Sequence, residues 1–275
     1  MSGSAGELWR PPRGVLASLV EGARADCEAR RRQRPRLLAE VSSRPVRSSR
    51  FHAALRGGRG FPLIGEVKRA SPSAGEIRAV DAAEQARAYV AGGARCVSVL
   101  TETRRFGGSL DDLKQVRETV DVPLLRKDFV VDPHMLAEAV EAGAEAVLLI
   151  VGAVDPDSLK GLWVTARALG LDVLLEVVHP SELPAADALQ ADLVGVNARD
   201  LETLTVDPDR FARLAPELSR TGRTLVAESG IRSPDDIRRL AAAGAGAALV
   251  GESLVRSSDP IAAVRALVEA TCPPE

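Results

Sequence analysis

From about residue 61 onward, the chain alternates between two kinds of segment. Short β-branched apolar runs are typical of parallel strands that are buried on both faces. The longer segments between them are rich in Ala, Leu, Arg and Glu, with apolar residues at helical spacing. The predicted strands lie near residues 61–68, 94–101, 123–128, 146–151, 172–178, 193–198, 224–228 and 247–251. Eight strands that are each followed by a helix predict an α/β fold of the TIM (β/α)8 barrel type.

Residues at the predicted helix ends agree with this alternation. Short polar side chains cap the free N–H groups at helix N-termini, and glycine often ends a helix. The candidate N-caps are Ser109, Asp132, Asp155, Ser181 and Ser233. The candidate terminating glycines are Gly92 or Gly93, Gly143, Gly170 and Gly244. The alternative, an open doubly wound sheet, would usually carry a glycine-rich turn where this chain has EVKRASPS (66–73).

Residues 1–60 precede the predicted barrel. They contain an apolar stripe at three- and four-residue spacing, which predicts an amphipathic helix and comprises Val15, Leu16, Leu19, Val20, Ala23 and Cys27. Because this stripe needs a partner, we expect the helix to dock on the barrel. We therefore expect one domain over 1–275, with 1–60 as a helical extension and 61–275 as the barrel. The basic run 30–36 lacks interleaved aromatic residues, which favours a solvated helix end over a nucleic-acid patch.

Composition narrows the class of protein. The chain has 275 residues, of which 45% are hydrophobic, so it can bury a large core. Its formal net charge of -2 predicts no bulk attraction to nucleic acid or to an anionic membrane. The three cysteines and the three histidines show no disulfide, metal or triad spacing. With no visible signal peptide and no apolar run of membrane-spanning length, we expect a cytoplasmic protein.

Charged and polar residues stand at the ends of the predicted strands, where the active site of a TIM barrel lies. Such groups must share a pocket or pair with each other, because burying them singly is costly. They are Glu66, Lys68, Lys127, Glu176, Asn197, Arg199, Glu228, Ser229, Gly251 and Glu252. Glu66 and Lys68 are two residues apart and face the same side of a strand, so a structural ion pair is the alternative to a role in the site.

Lys127 and Glu176 are the candidates for acid–base chemistry. Only four of the 36 basic residues are lysines, and two of these, Lys68 and Lys127, lie at strand ends. Arginine is a poor proton donor, whereas the pKa of a lysine can be lowered so that it delivers a proton. Lys127 is therefore predicted to be a general acid, with an anion clamp as the alternative. Glu176 follows an apolar run and is predicted to be a general base, with a salt bridge as the alternative.

The ends of the last two strands predict a phosphate site. Ser229-Gly230 and Gly251-Glu252-Ser253 combine small residues with the start of a helix. Small residues let backbone N–H groups approach an anion, and a helix N-terminus adds positive potential. Ordinary tight turns between strand and helix are the alternative.

Six strings in order along the chain resemble the indole-3-glycerol-phosphate synthase family. They are EVKRASPS (66–73), LLRKDF (124–129), LLEVVH (174–179), VGVNARDL (194–201), AESGI (227–231) and LVGESL (249–254). The resemblance implies a carboxy-lyase of tryptophan biosynthesis that needs no metal and no cofactor. Its expected substrate is 1-(2-carboxyphenylamino)-1-deoxyribulose 5-phosphate, which is cyclised and decarboxylated to indole-3-glycerol phosphate.

Matching positions assign expected roles to individual residues. The resemblance implies that Lys127 is the general acid and Glu176 the general base, and that Glu66, Lys68 and Asn197 position substrate and handle protons. The implied substrate-binding residues are Ser71, Phe129, Arg199, Glu228 and Ser229. The implied phosphate-binding residues are Gly230, Gly251 and Glu252.

The chain also departs from the family pattern. Two valines precede His179 where the family usually has one, so a bulge could re-aim this histidine. Ala74 and Ala198 stand where lysine and asparagine are common. The alternatives are a related phosphosugar isomerase barrel and a non-catalytic anion-binding barrel. We expect a small phosphorylated substrate as the only partner, no nucleic acid or membrane, and a monomer or weak homodimer.

Overall fold

The predicted strands close into one parallel barrel. The computed structural model describes residues 9–68, 70–71, 75–76, 81–219 and 222–273. The barrel strands are β1 (Leu63–Val67), β2 (Cys96–Leu100), β3 (Leu124–Lys127), β4 (Ala146–Ile150), β5 (Asp172–Val177), β6 (Leu193–Asn197), β7 (Thr224–Glu228) and β8 (Ala247–Val250). Each strand pairs in parallel with the next one in the chain, and β8 pairs with β1. The predicted TIM barrel is confirmed.

Burial explains why the strands were visible in the sequence. All strand residues are buried except Asp172 at the start of β5 and Lys127 at the end of β3. A strand that faces the barrel interior on one side and the helices on the other has no polar face. Continuous apolar runs therefore marked each strand to within about three residues.

Helices cover the outside of the barrel. In chain order they are α1 (Gly14–Gln33), α2 (Leu37–Ser42), α3 (Phe51–Leu55), α4 (Ala82–Ala91), α5 (Leu110–Thr119), α6 (Pro133–Glu141), α7 (Pro156–Ala168), α8 (Leu183–Ala188), α9 (Arg210–Leu218), α10 (Pro234–Ala242), α11 (Glu252–Arg256) and α12 (Pro260–Val268). Within the described part of the chain, none of them combines the length and the apolarity that crossing a bilayer requires.

Four of the five predicted N-caps are confirmed. Ser109, Asp132, Asp155 and Ser233 each accept a hydrogen bond from a backbone N–H in the first turn of the helix that follows. Such a bond satisfies one of the N–H groups that a helix start leaves free.

The prediction for Ser181 is wrong. This serine lies inside a single 3₁₀ turn (Pro180–Glu182), and α8 begins only at Leu183. The carboxylate of Glu182 accepts hydrogen bonds from the backbone N–H groups of Val178 at 2.6 Å and His179 at 3.2 Å. These bonds start the turn two residues earlier than the serine suggests.

The glycines predicted to end helices do so. Gly93, Gly143, Gly170 and Gly244 each have a positive φ directly after a helix. Gly170, with φ of 79°, shows why a side chain is excluded, because a Cβ there would overlap the backbone oxygen of Arg47 in the segment that precedes α3.

The N-terminal extension docks on the barrel as predicted. The stripe residues Leu16, Leu19, Val20, Ala23 and Cys27 of α1 are buried in the core that the barrel helices form. At the other end of the extension, Phe51 of α3 is fully buried, and its backbone oxygen accepts a weak hydrogen bond from Cys96 Sγ at the start of β2. The extension therefore contacts both the flank and the lower end of the barrel.

Residues 31–36 at the basic end of α1 are exposed, which agrees with the predicted solvated helix end, and some of the arginines also form ion pairs with α6. Arg30 donates to both carboxylate oxygens of Glu138 on α6, at 2.6 and 3.1 Å. Arg31 lies 3.1 Å from Asp132, and Arg34 contacts Glu141 at 2.5 Å. The basic residues thus fasten α1 to α6 through ion pairs.

A buried ionic network continues inward from this contact. The guanidinium of Arg126 on β3 is 1% exposed and donates to Glu138, Asp128 and Thr101 at 3.1, 3.0 and 3.0 Å. Neighbouring side chains on a strand point to opposite faces. With Arg126 held among the helices, the next residue, Lys127, points into the barrel mouth.

Candidate active site

One pocket at the carboxyl ends of the strands gathers the predicted site residues. Of the thirteen predicted residues, all but Ser71 line it. They are Glu66, Lys68, Lys127, Phe129, Glu176, Asn197, Arg199, Glu228, Ser229, Gly230, Gly251 and Glu252. The Ser71 side chain and Ala74 lie outside the part of the chain that the structure describes.

Glu66 holds both ammonium groups of the pocket. Lys68 Nζ donates to Glu66 Oε1 at 3.0 Å, and Lys127 Nζ lies 3.5 Å from Glu66 Oε2. Burial alone would raise the pKa of Glu66, but the charges of Lys68 and Lys127 outweigh it and lower that pKa below its ordinary value. A Cβ at Gly251 would overlap Glu66 Oε1, so the glycine makes room for this carboxylate.

Lys127 is surrounded by carboxylates. Its Nζ lies 3.8 Å from Glu228 Oε2 as well as close to Glu66. Burial would lower the pKa of Lys127, but the charges of Glu66, Glu228 and Glu176 reverse this and raise it above the ordinary value. Lys127 is therefore protonated at neutral pH, and its pKa is raised where the sequence suggested a lowered one.

Glu176 and Glu228 form the opposite side of the pocket. Their exposed fractions are 0% and 2%, and none of their four carboxylate oxygens has a hydrogen-bond partner within the described part of the chain. Burial raises the pKa of Glu176, against the opposing effect of Lys127. The pKa of Glu228 is raised well above its ordinary value, first by burial and then by the charge of Glu176.

Asn197 and Arg199 follow β6 at the rim of the pocket. Asn197 Oδ1 accepts a hydrogen bond from the backbone N–H of Arg199 at 3.0 Å. Arg199 Nη1 donates to the backbone oxygen of Leu204 at 3.1 Å, and Nη2 lies 3.8 Å from Glu252 Oε2. The guanidinium thus sits at the mouth with its charge only partly compensated.

The turns after β7 and β8 present backbone at the same mouth. Ser229 and Gly230 have φ of 66° and 75°, two consecutive left-handed residues directly after β7. Successive backbone N–H groups in such turns form concave sites for anions. Gly251 precedes α11 without a capping side chain. Ser253 Oγ donates to the backbone oxygen of Ile231 at 2.9 Å and ties the two turns together.

An apolar wall of the pocket was missed by the sequence reasoning. Phe106, Leu201, Leu204 and Leu19 line the same cavity as the charged residues. They lie in loops and in α1, so a search restricted to strand ends passes over them. A large apolar residue in the otherwise polar loop TETRRFGGS (101–109) was the available signal for Phe106.

Aromatic contacts organise this wall. The rings of Phe106 and Phe129 lie 6.2 Å apart and are tilted by 38°, and Lys68 Nζ lies 5.9 Å from the centre of the Phe106 ring. Glu102 fixes the loop by accepting a hydrogen bond from the backbone N–H of Phe106 at 2.9 Å. The pocket therefore has a flat apolar side next to its cationic side, which suits an aromatic anion.

The histidines lie away from the pocket. His52 and His134 are buried, and His52 Nε2 lies 2.9 Å from Thr224 Oγ1. The exposed His179 lies 3.7 Å from Asp200. Strand β5 stays in register with β6 through Val177, so the second valine follows the strand and does not distort it at Glu176.

Comparison with known proteins gives a consistent result. The family model described as indole-3-glycerol phosphate synthase matches residues 16–267. A protein named indole-3-glycerol phosphate synthase from Nocardioides sp. is 50% identical over 258 residues, which cover 91% of this chain and 96% of that protein. One of the same name from Mycolicibacterium gilvum is 49% identical over 267 residues, covering 94% and 97%.

A solved structure of a different protein supports the fold alone. Thiamine phosphate pyrophosphorylase from Pyrococcus furiosus superimposes with a TM-score of 0.56 at 16% identity. The match covers 76% of this chain and 94% of that one.

Proposed function

This chain belongs to the indole-3-glycerol phosphate synthase family of carboxy-lyases, and we propose that Lys127 is its general acid and Glu176 its general base. The substrate is 1-(2-carboxyphenylamino)-1-deoxyribulose 5-phosphate. The observation that carries this assignment is that the protonated Lys127 and the buried Glu176 line one pocket. The product, indole-3-glycerol phosphate, is an intermediate of tryptophan biosynthesis, and we propose that the enzyme acts in this pathway. We also propose that it acts in the cytoplasm.

The reaction needs two protons delivered and one removed. Lys127 protonates the ribulose carbonyl while the ring carbon that bears the carboxylate attacks it and forms the new carbon–carbon bond. Loss of carbon dioxide then restores the aromatic ring. Lys68, the other ammonium group of the pocket, delivers the second proton with which the new hydroxyl departs as water, and Glu176 takes the proton whose loss completes the indole double bond.

The rest of the pocket binds and positions the substrate. Lys68 and Arg199 supply positive charge for an anion that carries about three negative charges. Phe129 and Phe106 cover the anthranilate ring, and the turns at Ser229-Gly230 and Gly251-Glu252 hold the phosphate through backbone N–H groups.

The remaining predicted residues support this arrangement. Glu66 keeps both ammonium groups in place, and Asn197 holds the strand end at the rim of the pocket. Ser71 and Glu228 contact the substrate.

The assignment of Glu176 is tested by the isosteric Glu176→Gln change. We expect wild-type protein to convert the anilino-deoxyribulose phosphate to indole-3-glycerol phosphate, which is followed by its fluorescence. Glu176→Gln should lower kcat by about 10²–10⁴-fold, because general base catalysis contributes that much. The matched control is Glu217→Gln, an exposed position on α9, and it should keep wild-type kcat. A Glu176→Gln enzyme with wild-type kcat contradicts the role, and a wild-type protein that makes no product contradicts the function.

A further inference from the structure

The carboxyl groups of Glu176 and Glu228 are buried without the partners that ionised carboxylates need. All four of their oxygens lack hydrogen-bond partners in the described ranges, although both side chains are 2% exposed or less. An isolated buried charge costs several kcal/mol, so such groups normally pair, bond or become neutral. The nearest opposite charge is Lys127, 3.8 Å from Glu228, and burial outweighs it and raises the pKa of both groups.

The missing side chain of Gly195 brings the two carboxyl groups together. Gly195 lies on β6 between the two glutamate-bearing strands and is level with Glu176 in the β5–β6 register. A Cβ on Gly195 would overlap Oε1 of Glu228. The Glu228 carboxyl group therefore lies over the bare backbone of β6, and it is within hydrogen-bonding reach of Glu176 once one of the two is protonated.

The charges around this pair do not balance. The pocket centre holds two ammonium groups, Lys68 and Lys127, and three carboxylates, Glu66, Glu176 and Glu228, which gives 2 − 3 = −1. Glu66 takes the closest contact of each ammonium, at 3.0 and 3.5 Å, and only Lys127 reaches Glu228, at 3.8 Å. The other charged groups near the pair are Asp128, which pairs with Arg126, Glu182, which accepts two backbone hydrogen bonds, and Arg199 and Glu252. Arg199 and Glu252 lie 3.8 Å from each other at the rim and leave the central count unchanged.

We propose that Glu176 and Glu228 share one proton in the free enzyme and that Gly195 is the positioning residue that lets them meet. One added proton brings the central charge to zero. Two adjoining buried carboxylates cannot both ionise cheaply, since each disfavours the charge of the other. Burial is the first cause of the raised pKa of both groups, and the charge of Glu176 raises the pKa of Glu228 further, which favours Glu228 as the group that carries the proton.

The shared proton gives Glu228 a task in the reaction, and this step rests on the proposed function. With the proton on Glu228, Glu176 is the anion that accepts the substrate proton. A base must be ionised before it can take a proton. The hydrogen bond from the protonated Glu228 lowers the pKa of Glu176 against the effect of burial, so the pair keeps Glu176 ionised in its buried position.

Infrared spectroscopy of the free enzyme tests the pair directly. A protonated carboxyl group has a C=O stretch that is separate from the carboxylate bands, and we expect it in wild-type protein at neutral pH. Either Glu228→Gln or Glu176→Gln should remove this band, because two carboxylates then face two ammonium groups. Glu182→Gln is the control for the other buried glutamate nearby, because burial raises the pKa of Glu182 against the two backbone hydrogen bonds that it accepts. If the pair carries the proton, this variant keeps the band.

Three results would overturn the proposal: no such band in wild-type protein, a band that survives both changes, or a band that only Glu182→Gln removes. The measurement needs no substrate. A band without indole-3-glycerol phosphate formation would therefore support the shared proton and reject the proposed function. Turnover without a band would support the proposed function and reject the shared proton.

Gly195→Ala tests the positioning step. The new Cβ must displace the Glu228 carboxyl group, so the shared-proton band should disappear. We expect kcat to fall by about 10²-fold, as displacements near 1 Å in an active site can cause. Gly161→Ala on α7 is the control, since no atom outside its own helix lies within 4 Å of a Cβ there. A Gly195→Ala protein that is folded by circular dichroism and keeps the band would contradict the role of Gly195.

Discussion

At the scale of single residues, burial and neighbouring charges have opposing effects on the pKa values of the glutamates in the active site. Glu66 has a lowered pKa because two ammonium groups contact it, whereas Glu176 and Glu228, on the opposite side, have raised ones. Three buried glutamates at strand ends of one barrel thus differ in the direction of their pKa shifts, because only Glu66 has two ammonium groups close enough to outweigh burial. Sequence reasoning found all three as strand-end residues, but it could not order their pKa values, which depend on distances of a few ångströms.

The raised pKa of Glu228 makes a prediction about stability. A carboxyl group whose pKa is higher in the folded than in the unfolded protein destabilises the fold as pH rises from its ordinary value of 4.5 through its folded value. Glu228→Gln removes this penalty, so we expect the variant to be more stable than wild type by about 0.5–2 kcal/mol at neutral pH. Measured by thermal unfolding, the difference should be smaller at pH 4 than at pH 8. A difference that grows toward acid would show that the pKa of Glu228 is lowered instead.

At the scale of secondary structure elements, β3 links the N-terminal extension to Lys127, the proposed general acid. Arg126 and Lys127 are neighbours on β3, one turned toward α6 and the other toward the pocket. Glu138 on α6 contacts both Arg126 and Arg30 of α1. The buried network therefore fixes the strand from outside while leaving Lys127 free to face the substrate.

This network should contribute strongly to stability. Arg126→Met leaves two buried carboxylates, Asp128 and Glu138, without their central cation, which typically costs about 3–5 kcal/mol. We expect that loss in the free energy of unfolding by urea. Arg32→Met is the control, because Arg32 is an exposed residue that pairs with Glu28 on its own helix, where such pairs contribute little. Equal losses in the two variants would contradict a special role for the network.

The element scale is also where the sequence was most informative. Strands buried on both faces and N-caps such as Asp155 follow from local chemistry, so their positions could be read from the chain. The prediction for Ser181 failed because Glu182 bonds back to the N–H groups of Val178 and His179 and starts a turn that already contains the serine. The ion pairs of Arg30 and Arg31 were also invisible, since their partners on α6 lie about 100 residues away in the chain.

At the scale of the whole molecule, the barrel turns scattered strand ends into one charged pocket. The topology alone predicts that Glu66 and Glu228 meet, because the strands that carry them end at the same rim. The apolar wall could not be predicted in this way. Leu19 and Phe106 reach the pocket from α1 and from a loop, and only the packing of those segments decides where they point. Family resemblance filled part of this gap by identifying the substrate that the pocket should accept.

The most direct test of the central claim is the steady-state kinetics of Lys127→Arg with the anilino-deoxyribulose phosphate. Arginine keeps the positive charge but is a poor proton donor. If Lys127 is the general acid, kcat should fall by about 10²–10⁴-fold while KM stays near the wild-type value. If Lys127→Arg turns over at the wild-type rate, the residue holds an anion by charge alone, and the assignment of the general acid is wrong.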